Sequence, residues 1–395
     1  MWALILAGRG VVGCAGNKEE GQTTSAQPDD SQPPAPPSGF DLVDSYQVAG
    51  ELQTLFSADD SLWAISYFSG QYGVEERVDV QNLDSDKTIP SLPHADQRSY
   101  GWTGPLKIAG EDVIAAIYQS NTGYHSQDGT HHGIILFDTD GNLLADHDLY
   151  GALEARGPSA SVVDPDTGRL YVLINNQGDV SSEYDTVDFG SSAIVEIAEP
   201  LSENSGYRLI PLASFKNASA MALKDGQLVV AAANNTLDDS SGTSFLVFVD
   251  PATDEINPVL NIPDGVGLNG NVPASTDGRH LFTGSNADGR SLALLSADDE
   301  VQEVDLPDGF QVYVANAQFV GSSLLFNVTQ SYTETLLMDP DSGDHEVVQT
   351  TGPVQFGISP VLLSGNVYCD GASGTDISAE GLIYSQINCY QATWE

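Results

Sequence analysis

The chain has 395 residues, of which 56 are acidic and 13 basic, giving a formal net charge of −43 at neutral pH. A surface that negative repels nucleic acid and anionic bilayers, which excludes both as electrostatic partners. Gly (39) and Pro (20) are abundant and no stretch of helix length keeps a 3.6-residue apolar period, so the chain is expected to be all-β and rich in turns.

The acid has two explanations: a hydrated surface adapted to high salt, or a cation site. Acidic residues fall at nearly every turn and only five lysines occur in the whole chain. A metal site would concentrate acid, so the dispersed pattern favours the salt-adapted surface.

The chain opens MWALILAGRGVVGCAG and runs into a segment rich in Pro, Ser, Gln and acid that ends at position 39. Val11-Val12-Gly13-Cys14 resembles a bacterial lipobox, in which the Cys becomes the lipidated N-terminus. On that reading 1–14 is a lipoprotein-type signal peptide, and 15–39 is a disordered, acidic, Pro-rich tether. The apolar run carries no basic residue before Arg9, so a chance VVGC in a cytosolic chain is the competing reading. Residues 40–395 then form one β domain.

That domain repeats a phrase: a turn, a strand, a gap, a second strand, then an acidic turn. The marker strand begins near Leu62, Val113, Arg169, Gln227, His280, Ser323 and Asn366. A period of roughly 43 to 58 residues suits four-stranded antiparallel blades with variable loops, in a seven-bladed β-propeller. Six repeats with an appended β-domain, or eight blades, fit the same spacing less directly. Each marker is followed by a third strand, which in most units ends at an acidic turn such as Asp250-Pro251-Ala252-Thr253 or Asp339-Pro340-Asp341-Ser342-Gly343. In such turns Asp caps the backbone, Pro presets φ, and Gly takes the left-handed position. The seventh unit stops at its third strand, and 40–56 offers a spare one. Closure of the ring by that N-terminal strand would remove open sheet edges.

Asp225-Gly226, Leu228, Val230, Asp250-Pro251, Thr253, Ile262-Pro263 and Gly265 carry a pattern that resembles the YVTN-type β-propeller repeat of bacterial and archaeal surface proteins. Asp166-Thr167-Gly168 and Asp339-Pro340, Ser342-Gly343 repeat parts of it. The resemblance implies a propeller and an envelope location, facing the periplasm or the exterior. It implies no particular active site.

Cys369 and Cys389 sit in two strand-like runs near the C-terminus. If those runs form a hairpin, the two can form a disulfide; two buried thiols are the alternative. His125, His131 and His132, with Asp128, have the ligand types for a divalent metal. Their spacing matches no closed site, and a polar surface loop explains them more simply. Asp138-Thr139-Asp140-Gly141-Asn142 begins like a calcium loop but lacks the downstream Glu. Gly265-Val266-Gly267-Leu268-Asn269-Gly270 fits a nucleotide fingerprint only as text, because strand-like sequence follows it.

The better candidate is the mouth of the channel, where loops leading into the innermost strands converge. Those loops offer Trp102, Arg156, Asn217, Asn271, Asn316 and Gln355. Amides from several blades and one scarce cation suit a polar or anionic ligand, although the same groups also satisfy strand ends. The function expected is a non-catalytic binding or scaffold module, monomeric, for an envelope protein or a polar small molecule, with membrane contact only through a lipid anchor. No resident cofactor is expected, and a divalent metal is allowed. The competing class is a propeller enzyme, a lactonase-like hydrolase or sugar dehydrogenase with a metal or quinone in the channel.

Overall fold

The computed structural model describes residues 40–68, 77–85, 87–89, 98–120, 132–149, 158–174, 177–180, 187–189, 191–202, 205–233, 244–262, 270–272, 274–275, 277–286, 289–304, 311–312, 317–329, 332–353, 357–363, 367–377 and 383–392. Cys14 and the tether lie outside them.

The described strands form seven antiparallel blades in a ring, a seven-bladed β-propeller. Blade 1 runs Glu51–Ala58, Ser61–Phe68, Arg77–Asn82 and Thr88–Ile89, from the innermost strand outward. Blade 2 runs Arg98–Ile108, Glu111–Ser120, His132–Phe137 and Leu143–Asp148. Blades 3 and 4 share one long strand, Tyr207–Lys224. Its first half is the outer strand of blade 3, after Pro158–Val163, Leu170–Ile174 and Ser191–Ile197. Its second half is the innermost strand of blade 4, before Gln227–Ala233, Ser244–Asp250 and Glu255–Ile262. Blade 5 holds His280–Asn286, Gly289–Leu295 and Val301–Val304, with Ala274 bridging His280 on the inner side. Blade 6 holds Gln311–Val312, Gln318–Val320, Ser323–Thr329, Tyr332–Met338 and His345–Pro353. The marker strand of every repeat is the second strand of its blade.

Blade 7 contributes Gly357–Leu363, Val367–Ile377 and Ile383–Ala392, and its outer strand is Phe40–Ala49. The expected closure is present, from Phe40 opposite Ala392 to Ala49 opposite Tyr384. The run expected as one spare strand is two. Gly50 takes a positive φ of 92° between them, sending the chain from the rim of blade 7 to the innermost strand of blade 1. Ser385 fixes that crossing: its hydroxyl donates to the Gly50 carbonyl at 2.8 Å and accepts from Leu52 N–H at 3.0 Å.

The core explains why the marker strands read as unbroken apolar runs. Side chains alternate across a strand, and both faces of a blade are covered by neighbours. Leu170, Val172 and Ile174 pack toward blade 2, whereas Tyr171 and Leu173 pack toward blade 4. Leu228 and Val230 face blade 3, whereas Val229 and Ala231 face blade 5. Each boundary between blades holds one apolar cluster. The boundary between blades 6 and 7 has the leanest, with Tyr368 stacked on Tyr390 at 5.3 Å. It adds a buried polar chain in which Thr335 Oγ1 lies 2.9 Å from the Asp370 carboxylate and 2.8 Å from Asn327 Oδ1. Within blade 7, Cys369 pairs with Cys389 across neighbouring strands and the two form a disulfide.

Candidate functional site

Antiparallel order puts two kinds of connection on opposite faces of the disc. One face carries the tight turns joining first to second and third to fourth strands. The other carries the ends of the strands that lead from second to third strand and from blade to blade.

The turn face is built by capping carboxylates. Asp250 accepts the Ala252 N–H at 2.8 Å and the Thr253 hydroxyl at 3.0 Å, which together hold its carboxyl below the usual range. Asp339 is held down in the same way, first by the Asp341 N–H. Gly343 follows at a φ of 76°, as the motif requires; in blade 4 Asp254 takes that position itself, at 62°. Asp138, the start of the calcium-like pentapeptide, accepts N–H groups of Asp140 and Asn142 and the Asn142 amide. Its oxygens close a strand turn.

Basic residues on this face join one blade to the next. Lys87 of blade 1 pairs with Asp140 of blade 2, and Arg208 of blade 3 with Asp254 and the Pro251 carbonyl of blade 4. Glu196 receives both Arg208 and Arg169, the latter at 2.6 Å. Lys224 ends the innermost strand of blade 4 with its side chain 6% exposed, donating to Asp299 of blade 5 at 2.6 Å and to the Ala297 carbonyl at 2.9 Å. Burial pulls its ammonium down, but Asp299 and Asp225 outweigh that and hold it above the ordinary lysine range. Arg279 of blade 5 reaches Asp341 and the Ser322 carbonyl of blade 6, with its guanidinium 6.0 Å from the Phe319 ring centre. A groove of about 750 Å³ lies between blades 2 and 3 on this face, walled by Lys107, Asp164, Asp166, Glu199 and Leu201. Asp112 and Lys107 bond each other there, and Asp164 closes its own turn.

The loop-side half of the innermost strands has a different character. The pairing of innermost with second strand slips there in blade after blade. The slips fall between Leu52 and Thr54, Trp102 and Gly104, Pro158 and Ala160, Lys216 and Ala220, and Ile358 and Val361. In blade 6 the innermost position is split, with Val312 opposite Val328 and Gln318 opposite Leu325. The bulged residues are mostly polar: Gln53, Thr103, Ser159, Asn217–Ser219 and Ser359. A bulge leaves its extra residue off the ladder and re-aims it, which is why bulges gather at binding sites. The Asn217–Ser219 bulge is pinned on both sides. Ser192 Oγ accepts Ala218 N–H at 3.1 Å, and Ser159 Oγ donates to the Ala218 carbonyl at 3.2 Å.

Of the residues expected at the mouth, Trp102 lies on the innermost strand of blade 2 and Asn217 on that of blade 4, each at a bulge. Asn271 belongs to a short strand, Gly270–Asn271, that pairs in parallel with Ala220 and Met221. Its Cα trace passes within 8 Å of the innermost strands of blades 2 and 3. Arg156, Asn316 and Gln355 lie outside the described residues, as do His125 and His131. His132 starts the third strand of blade 2, opposite Gln119. Among the described residues no three His, Cys, Asp or Glu side chains form a group able to hold a metal. The bulges were not read from the sequence. Pro360, inside an otherwise strand-like run, was the signal that could have located one, because Pro cannot donate to a ladder.

No protein-family model matches the sequence, and no curated protein matches it. Solved structures do. The β-propeller domain of the Trilobed protease from Pyrococcus furiosus, described as having an open velcro topology, superposes with a TM-score of 0.52 at 9% identity, over 89% of this chain and 97% of that one. Virginiamycin B lyase from Staphylococcus aureus superposes with a TM-score of 0.52 at 13% identity, over 90% and 100%. Pyrococcus horikoshii acylaminoacyl peptidase gives 0.48 at 12% identity, over 81% of this chain and 49% of the peptidase, so the chain spans about half of its length. At such identities the likeness shows the propeller fold alone.

Proposed function

We propose that this chain is a non-catalytic binding module, a rigid disc whose loop-side mouth takes an envelope protein or a polar small molecule. The repeated slip of the innermost strands around one mouth supports this reading most strongly. Seven stacked blades hold that mouth rigid, and the bulges break the ladder where polar residues cluster. Trp102, Arg156, Asn217, Asn271, Asn316 and Gln355 are the residues assigned to it. Cys14 is assigned as the lipid attachment point, with 15–39 as the spacer that holds a monomeric disc off the membrane.

The test is photo-crosslinking on native membranes from probes at Trp102 and Asn217, with probes at Asp166 and Asp298 on the turn face for comparison. A product specific to the mouth supports the module, and equal labelling from both faces sinks it. One stoichiometric divalent ion surviving dialysis would instead move the protein into the competing enzyme class. Cys14→Ala should shift the protein from the membrane to the soluble fraction, and unchanged fractionation would remove the anchor.

A further inference from the structure

We infer that the groove between blades 2 and 3 on the turn face is a docking surface for a partner protein, taking a segment in which Arg or Lys stands beside an aliphatic residue. This surface is separate from the mouth and stands or falls without it.

The observation is a gap in a series. The turn between the third and outer strands of a blade carries an acid, which the preceding blade engages. Tyr46 of blade 7 has its hydroxyl 3.1 Å from Asp84 of blade 1. Lys87 of blade 1 pairs with Asp140 of blade 2, and Arg208 of blade 3 with Asp254 of blade 4. Lys224 of blade 4 pairs with Asp299 of blade 5, and Arg279 of blade 5 with Asp341 of blade 6. In blade 3 the corresponding acid is Glu199, which is exposed. Lys107 of blade 2 turns instead to Asp112 of its own blade, at 2.9 Å. His147 joins the two blades, with Nε2 2.6 Å from the Pro200 carbonyl, but it is buried and engages backbone. Among the described residues no Lys or Arg pairs with Glu199, or with Asp166, which is exposed on the same groove.

Where the link is missing, the boundary is open. Three turns wall the groove: Lys107–Gly110 and Asp164–Gly168 toward the axis, and Glu199–Ser202 toward the rim. It therefore runs along the boundary and is open to solvent, a shape that takes an extended segment rather than enclosing a small molecule. Its lining is mainly apolar, with Ile108, Pro165 and Pro200, and with Leu201 left 42% exposed. A Cβ added at Gly110 or Gly168 would meet open space, so neither turn fills the groove. An aliphatic side chain can cover Leu201 while a basic one takes the place that the preceding blade's Lys or Arg takes elsewhere. In a chain of net charge −43, charge alone would admit any cation, and the apolar lining supplies the selection.

The experiment is fluorescence anisotropy of the purified chain with labelled pentapeptides, in about 0.5 M KCl so that long-range attraction is screened. The probes are Gly-Leu-Arg-Leu-Gly, the same peptide with citrulline in place of arginine, and Gly-Ser-Arg-Ser-Gly. Binding of the first alone is expected. Glu199→Gln and Leu201→Ser should each weaken it by about threefold to tenfold, the effect of a rim charge or a half-covered aliphatic side chain. Ala109→Arg, which supplies a cation from blade 2 itself, should abolish it, and Asp298→Asn on another turn should leave it unchanged. Absence of binding by the first peptide overturns the inference, as does equal binding of either other peptide. Binding that Glu199→Gln and Leu201→Ser leave intact overturns it too. In the membrane crosslinking above, a partner in the groove labels from Asp166 and not from Asp298, which separates it from the indiscriminate labelling that would sink the mouth.

Discussion

Lys224 and Lys87 make the same kind of bond between blades in opposite environments. Lys224 is buried against three oxygens, whereas Lys87 and its partner Asp140 have side chains 50% and 69% exposed. Exposed pairs contribute about 0–1 kcal/mol because water screens them. Buried ammonium contacts contribute more, and their loss leaves the Ala297 carbonyl without its donor. Lys224→Met is therefore expected to lower unfolding free energy by about 2 kcal/mol. Lys87→Met should leave it close to the wild-type value, because water screens the exposed pair. Urea denaturation of the two variants compares them, and equal losses would refute the ranking. His280 gives a pH signature at the same boundary. Burial lowers its pKa, while its Nε2 lies 3.2 Å from the Leu223 carbonyl. The folded imidazole stays neutral while the unfolded one takes a proton as pH falls through about 6.5. Stability from this group is thus present above that pH and lost below it. The urea midpoint should fall between pH 7.5 and 5, and His280→Gln should make that fall shallower; an unchanged slope would show that other groups carry it.

At the scale of elements, the weak point is the seam where the two ends of the chain meet. Phe40–Ala49 has no blade of its own, and Ile383–Ala392 without it presents an open edge. Removing residues through Ala49 should produce concentration-dependent association, visible in sedimentation; a monomeric, equally stable truncation would show that closure is dispensable. The disulfide acts on the same blade through a separation of 20 residues. Chain-entropy arguments assign such a loop about 3 kcal/mol. Reduction should lower the melting temperature without changing the far-UV spectrum. Much of this level was legible in the sequence, because blade strands announce themselves through apolar runs bounded by Asp, Pro and Gly. Leu228–Ala232 and Leu170–Ile174 could be placed from residue type alone. The strand shared by blades 3 and 4 and the slips at Trp102 and Asn217 could not. Register depends on which residue of the neighbouring strand lies opposite, and a local pattern carries no record of its partner. The mouth was therefore found as a neighbourhood, through loop order, while its defining irregularity stayed hidden.

For the whole molecule the question is what the acid of a chain with 56 acidic residues does. Caps such as Asp138, Asp250 and Asp339 serve the turns, and Asp254, Asp299 and Asp341 serve the links between blades. Other described carboxylates, among them Asp59, Asp60, Asp166, Asp298 and Glu303, face solvent. Two effects of salt then oppose each other. The exposed links weaken as the screening length shrinks from about 10 Å at 0.1 M to about 3 Å at 1 M. Mutual repulsion among the remaining carboxylates weakens over the same range. Each exposed link contributes at most about 1 kcal/mol, whereas the repulsion acts over the whole surface. Repulsion should dominate, so calorimetry in KCl from 0.1 to 2 M should show a rising melting temperature. Lys224→Met should rise in parallel with the wild type, since its lost contact is shielded from solvent ions. A melting temperature that falls with KCl would mean that the links outweigh the repulsion, and the salt-adapted reading of the acidic turns would have to be abandoned.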